Sequence, residues 1–115
     1  MQSKNFLSLY LVSEEDIEMK KKTVIQLSIL KEGRYGEDYL RKEIEGELLY
    51  CPKGTPIFLA EGWACEEVKD YYISITKDEI VAYIRIVAYY SSEVEESSIS
   101  DYKNALMKEG FELIE

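Results

Sequence analysis

Residues 71–90 read YYISITKDEIVAYIRIVAYY, and this run indicates the class of the fold. Two segments rich in Ile, Val and Tyr, residues 71–76 and 80–90, flank the polar turn KDE. Branched and aromatic side chains favour strands, so two such segments on either side of a short polar turn predict a β-hairpin. The second segment is apolar on both faces, and we therefore expect it in the centre of a sheet.

Segments on the N-terminal side of this hairpin predict further strands. Residues 6–12 and 23–31 carry Leu or Ile at every second position, which is the period of a strand. Between them, Ser13 followed by acids and then lysines predicts a short N-terminal helix over residues 13–22, with a charged hairpin connection as the alternative. Residues 37–45 fit a strand slightly better than a helix.

The middle of the chain contains a turn signal. The PKG triplet at residues 52–54 predicts a hairpin between residues 48–51 and residues 55–61. Residues 62–70 fit no single element.

One helix is predicted near the C-terminus. Ser98 and Asp101, three residues apart, form a variant of the capping box. Gly110 is expected to end the helix, and residues 111–114 to form a short final strand. The apolar stripe of the helix consists of Ile99, Tyr102, Ala105 and Leu106.

Together these segments predict a single α+β domain over residues 1–115. Its main element is a mainly antiparallel sheet of about five to seven strands, with the C-terminal helix packed on one face. A chain of 115 residues suits one hydrophobic core.

Composition excludes several kinds of chemistry. The chain has no His, so it lacks the usual general base near neutral pH and the commonest metal ligand. It has no glycine-rich phosphate-binding motif, and no cofactor is expected. Two cysteines, Cys51 and Cys65, are interpreted as half-buried thiols, with a single disulfide between them as the alternative.

Negative charge is concentrated in the second half of the chain. The net charge is −9, and residues 58–115 carry 13 acidic and 5 basic side chains, a net −8. A field of that sign attracts basic proteins and repels nucleic acid and anionic membranes. No apolar run is long enough to span a bilayer, and we expect a cytoplasmic protein.

The only Trp lies within the acidic stretch at residues 61–72, and Trp is enriched at the centres of protein interfaces. The leading hypothesis is therefore a non-enzymatic interaction protein, an inhibitor, immunity-type or regulatory module that binds a basic partner surface. The alternative is that the Trp side chain closes one end of the core. The candidate partner-binding residues are Glu61, Trp63, Glu66, Glu67, Asp70, Glu93, Glu95, Glu96 and Asp101.

Two other functions are compatible with the sequence. One is a small-ligand module for a nucleotide or metabolite, with a pocket lined by Tyr71, Tyr83, Tyr89 and Tyr102. The other is a carboxylate–metal enzyme, because Glu43, Glu45 and Glu47 would share one face of a strand, although a solvated sheet face explains them as well. A homodimer could form through the predicted edge strand at residues 6–12.

Overall fold

The computed structural model describes residues 19–115. The strand predicted at residues 6–12 lies outside this range, as does the first part of the helix predicted over residues 13–22. The end of that predicted helix is wrong, because Lys20 already belongs to the first strand. The elements are β1 (Lys20–Lys31), β2 (Asp38–Glu45), β3 (Pro56–Ile57), β4 (Glu66–Ile75), β5 (Glu79–Tyr90), α1 (Glu96–Lys108) and β6 (Glu112–Ile114).

All six strands form one sheet in the order β3-β4-β5-β1-β2-β6. The predicted α+β class is confirmed, and so is the mainly antiparallel sheet with β5 near its centre. The β4–β5 hairpin and the strand interpretation of residues 37–45 are also confirmed. One pairing was not predicted: β1 and β5 run parallel, with Lys20 opposite Glu79 and Lys31 opposite Tyr90.

The core lies between the sheet and α1. Ile25, Leu27 and Ile29 alternate along β1 and face the helix. We call this side of the sheet the helix face and the opposite side the far face. The helix contributes three buried side chains, Ile99, Tyr102 and Leu106. Because only alternate residues of each strand reach α1, the far face keeps a separate set of side chains.

A bulge in β4 adjusts which residues face the core. Val68 pairs with Ile86 and Asp70 pairs with Arg85, so one extra residue is accommodated between them. The shift lets Val68 and Tyr71 both face the helix, while Asp70 turns to the far face.

The segment between β2 and β4 differs from the predicted hairpin. Only Pro56 and Ile57 form a strand, and they pair with β4 rather than with residues 48–51. The hydrogen bonds of Leu49 explain this difference. Its N–H donates to Thr23 Oγ1 at 2.9 Å, and its carbonyl accepts from the Tyr71 hydroxyl at 2.7 Å, so side chains replace a partner strand.

The helix begins earlier than predicted and ends as predicted. It starts at Glu96, after Glu95 with extended backbone and no side-chain cap, so the predicted Ser98 cap is wrong. At the C-terminal end, the Phe111 N–H bonds the Leu106 carbonyl and Gly110 has a φ of 101°, which is the Schellman arrangement. Within the described part of the chain, no helix is long and apolar enough to cross a membrane.

Candidate functional site

The only Trp packs against the helix at one end of the sheet. The Trp63 ring lies 5.0 Å from the Tyr102 ring, measured between centroids, with 37° between the planes. The Tyr102 hydroxyl donates to Glu66 Oε2 at 3.2 Å. These three side chains therefore join the loop after β3, the helix and the start of β4.

Burial shifts the titration of this cluster. It raises the pKa of the Glu66 carboxyl, and the hydrogen bond from Tyr102 lowers it by a smaller amount. Burial also raises the pKa of the Tyr102 and Tyr90 hydroxyls, and the negative charge of Glu66 adds to both increases. Glu66 is thus a carboxylate held beside aromatic rings, at a cost in solvation.

Five of the predicted acids gather at the same end of the sheet. This is the end where β1 and β5 finish and where β2, β4 and α1 begin. We call the group the acidic end. It is supplied by the loop before β4, by the first two residues of β4 and by the loop between β5 and α1. Its members are Glu61, Glu66, Glu67, Glu93 and Glu95.

The ion pairs of the described residues involve other carboxylates, although Lys31, Arg34 and Glu96 lie at this same end of the sheet. None of the acidic-end carboxylates is within 4.0 Å of a Lys or Arg nitrogen in residues 19–115. The cations in pairs belong to β1, the turn after it, β2 and one side of the helix. The pairs join Lys22, Lys31, Arg34, Arg41 and Lys103 to Asp38, Glu43 and Glu96.

Three of the predicted partner-binding acids do not belong with the others. Glu96 is neutralised by Lys31 at 3.3 Å and by Arg34 at 3.1 Å. Asp70 lies further along β4 on the far face, opposite Arg85. Asp101 is exposed on the helix, more than one turn after its start.

A groove of about 700 Å³ adjoins the acidic end. Val87 and Tyr89 of the far face line it, together with Glu67 of β4. Glu66, Lys53 and Lys69 also line it, so two lysines balance the two glutamates of the groove. The uncompensated charge therefore lies at Glu61 and in the β5–α1 loop.

The four tyrosines predicted to line one pocket lie on opposite sides of the sheet. Tyr71 and Tyr102 are on the helix side, where their hydroxyls bond Leu49 and Glu66. Tyr83 and Tyr89 are on the far face, because they alternate with the core residues of β5. These four side chains do not line a common cavity.

The row of glutamates predicted on β2 is interrupted. Glu43 and Glu45 belong to the strand, but Gly46 follows with a φ of 85°, and Glu47 lies beyond the strand end. Glu43 is held by Lys22 at 3.4 Å and Arg41 at 2.8 Å. Within residues 19–115, no three His, Cys, Asp or Glu side chains are grouped so that they could hold a metal ion.

Both cysteines are free thiols. Cys51 is half-buried, as predicted, whereas Cys65 is exposed. The alternative of a disulfide between them is not realised.

An arrangement on the far face was not predicted from the sequence. Tyr72 stacks on Tyr83 with 5.0 Å between ring centroids, and Arg85 lies in the next row. A depression of about 410 Å³ there is lined by Gln26, Ser28, Glu37, Tyr39, Tyr72 and Arg85. The alternation of Tyr83, Arg85 and Tyr89 along β5 was the available signal.

No family model, curated protein or solved structure compared with this chain matches it.

Proposed function

We propose that this protein is a non-enzymatic interaction protein that binds a basic protein surface through its acidic end, acting as an inhibitor or regulatory module. The observation that carries the proposal is a group of carboxylates at one end of the sheet that form no ion pair within the described residues. The cations that form ion pairs serve acids of β2 and the start of α1, whereas the acidic-end carboxylates have no such partner in the described part of the chain.

Electrostatics suits this surface to recognition. Uncompensated charges of one sign accelerate the encounter with an oppositely charged partner and set its orientation. Each exposed ion pair is worth only about 0.2–1 kcal/mol, so several acids must act together. When this protein is bound, it would cover the basic site of its partner and so block access to that site.

Trp63 gives the surface an apolar contact. It is partly exposed and held against Tyr102, which limits its motion before binding. A rigid aromatic ring surrounded by charge is typical of the centre of an interface. Trp63→Ala should therefore weaken binding even though it leaves the net charge unchanged.

Charge reversal tests the proposal. The test variant carries Glu61→Lys, Glu93→Lys and Glu95→Lys. The matched control carries Glu45→Lys, Glu47→Lys and Asp78→Lys, exposed positions at the opposite end of the sheet. Both variants change the net charge from −9 to −3, since each of the three substitutions replaces a negative charge by a positive one and so raises the net charge by two units.

The measurement is the dissociation constant for a purified partner. Proteins captured from lysate of the source cells by the wild-type chain are identified by mass spectrometry, and the recovered partner is then titrated. We expect the test variant to raise the dissociation constant about 30-fold, near 2 kcal/mol, and the control to change it much less. Equal effects of the two variants, or no effect of the first, would contradict the proposal.

A second candidate, small-ligand binding, is favoured by the far-face depression. Arg85 is exposed there and forms no ion pair with any residue from 19 to 115, and Tyr72 and Tyr39 line the same depression. A depression lined by a guanidinium and by tyrosines suits a planar anionic ligand such as a nucleotide. A thermal-shift screen of nucleotides and metabolites tests it, and any stabilisation should disappear in Arg85→Ala.

A further inference from the structure

The outer edge of β4 is covered over only part of its length. Its first residues pair with Pro56 and Ile57 of β3. The adjoining turn continues the cover, because the Val68 N–H bonds the Thr55 carbonyl and the Gly54 N–H bonds the Val68 carbonyl. Beyond the bulge, no strand of the described chain pairs with the outer side of residues 71–75.

The hydrogen-bonding groups of this edge can be assigned from its pairing with β5. The Thr76 N–H donates to the Glu79 carbonyl, so the backbone N–H and C=O groups of Thr76 point towards β5. In an antiparallel pair, the backbone groups of alternate residues point towards the partner strand. Tyr71, Ile73 and Ile75 therefore direct their N–H and C=O groups away from the sheet, ready to pair with another strand.

The side chains beside this edge are apolar and exposed. Tyr72 and Ile73 are each 48% exposed, Ile75 is 70% exposed and Tyr50 is 76% exposed. The Tyr50 ring lies against that of Tyr71, with 5.4 Å between centroids. Natural edge strands are usually protected by Lys, Pro or a bulge. The bulge of β4 lies before this segment, between Val68 and Asp70, and residues 71–75 contain neither Lys nor Pro.

We propose that residues 71–75 of β4 pair with the same residues of a second copy of this chain, antiparallel about a two-fold axis at Ile73. In this register Tyr71 lies opposite Ile75 of the second copy. The outward N–H and C=O groups of each chain then meet those of the other, and the two sheets become one. Opposed side chains keep to the same face, so the isoleucines of the two copies meet on the helix face.

Charge favours a second copy over a basic partner at this edge. Residues 71–75 carry no charge, and each end is balanced, by Lys69 with Asp70 and by Lys77 with Asp78. A basic protein is drawn instead to the acidic end. Antiparallel pairing also places the two acidic ends at opposite extremes of the joined sheet, which limits repulsion between two chains of charge −9.

The exposed area indicates a weak dimer. Side chains of this size offer up to about 150–250 Å² each. The four are between half and three-quarters exposed, so together they provide on the order of 500 Å² per copy. The pair would bury about 1,000 Å², the lower limit for a specific interface. We therefore expect a dissociation constant on the order of 10–100 µM, with dimer forming as concentration rises.

Sedimentation velocity of the full chain across this concentration range tests the proposal. The wild type should shift from monomer to dimer, and Ile73→Lys should raise the dissociation constant at least about tenfold. Ile114→Lys, at 40% exposure on the other edge strand, is the matched control and should dimerise like the wild type. Ile75→Lys serves in its place if circular dichroism shows Ile73→Lys to be unfolded. A wild-type chain that stays monomeric, or equal effects at both edges, would overturn the proposal.

Amide hydrogen exchange identifies the edge directly. The amides of Tyr71, Ile73 and Ile75 should exchange quickly at low concentration and become protected as dimer forms. Those of Tyr72 and Ser74, which face β5, should be protected throughout. Protection of the outward amides in a monomer would show that another part of the chain pairs with this edge, and would refute the dimer.

Discussion

Replacing Tyr102 by Phe removes one oxygen atom and leaves the ring in place. The ring is fully buried and packs on Trp63, so the substitution isolates the hydrogen bond to Glu66 Oε2. A hydrogen bond to a charged group contributes about 1.5–3 kcal/mol to stability. This bond is longer, at 3.2 Å, than the strongest bonds of its type, and half-buried Glu66 can recruit water. We therefore expect a loss of about 1 kcal/mol in the free energy of unfolding, equivalent to about 4 °C in Tm.

Urea unfolding at pH 7, followed by Trp63 fluorescence, measures this loss. The matched control is Tyr89→Phe, because Tyr89 is 64% exposed on the far face. The same substitution there should change the free energy of unfolding by less than about 0.5 kcal/mol. Equal losses in the two variants would refute the role assigned to the Tyr102 hydroxyl.

The bond between Tyr102 and Glu66 also predicts how stability depends on pH. The pKa of Glu66 is raised in the folded chain above its ordinary 4.5, so the folded state binds the proton more tightly. The stabilising contribution of the protonated group is fully present below pH 4.5 and is lost as pH rises through the folded pKa. Glu66→Gln should abolish that loss, and Tyr102→Phe should raise the Glu66 pKa further, because the hydroxyl lowers it. Urea unfolding as a function of pH measures the first effect, and carbon-13 titration of the Glu66 carboxyl measures the second. A Glu66 pKa that fell in Tyr102→Phe would contradict the role assigned to the hydroxyl.

Three further substitutions test the packing and the ion pairs. Leu106→Ala, at a fully buried position, should cost about 2–5 kcal/mol in urea unfolding, whereas Met107→Ala on the exposed side should cost less than about 1 kcal/mol. Thr23→Val should cost about 1–3 kcal/mol, because the hydroxyl holds two backbone groups of the loop after β2, and little change would show that water replaces it. Arg34→Ala should cost about 1 kcal/mol at low salt and less at 1 M salt, since the ion pairs are partly exposed; Arg85→Ala, with no ion pair in the described residues, should show no such salt dependence.

Local patterns were sufficient to predict most of the fold. The β4–β5 hairpin follows from strand propensity and a polar turn, and the end of α1 follows from Gly110. The parallel pairing of β1 with β5 could not be predicted, because register between strands far apart in sequence depends on the whole sheet. The start of α1 was missed because it carries no capping signal: Glu95 precedes it with extended backbone and no side-chain hydrogen bond to the helix.

The candidate site was predictable in composition but not in arrangement. Acid-rich segments around Trp63 and before α1 are evident in the sequence, and the topology places them at one end of the sheet. The sequence could not show that Glu96 is neutralised, or that Glu66 bonds Tyr102. The tyrosines predicted to line one pocket do not share a face, because Tyr71 and Tyr83 lie on opposite sides of the sheet. Their placement depends on the bulge in β4.

The most direct test of the acidic end is the rate of association with the captured partner as ionic strength changes. Electrostatic steering predicts that the wild-type rate constant falls steeply between about 0.05 M and 0.5 M salt. The variant with Lys at Glu61, Glu93 and Glu95 should start lower and show a much shallower dependence. A wild-type rate constant that is independent of salt, or an equal response to salt in the two proteins, would contradict binding through the acidic end.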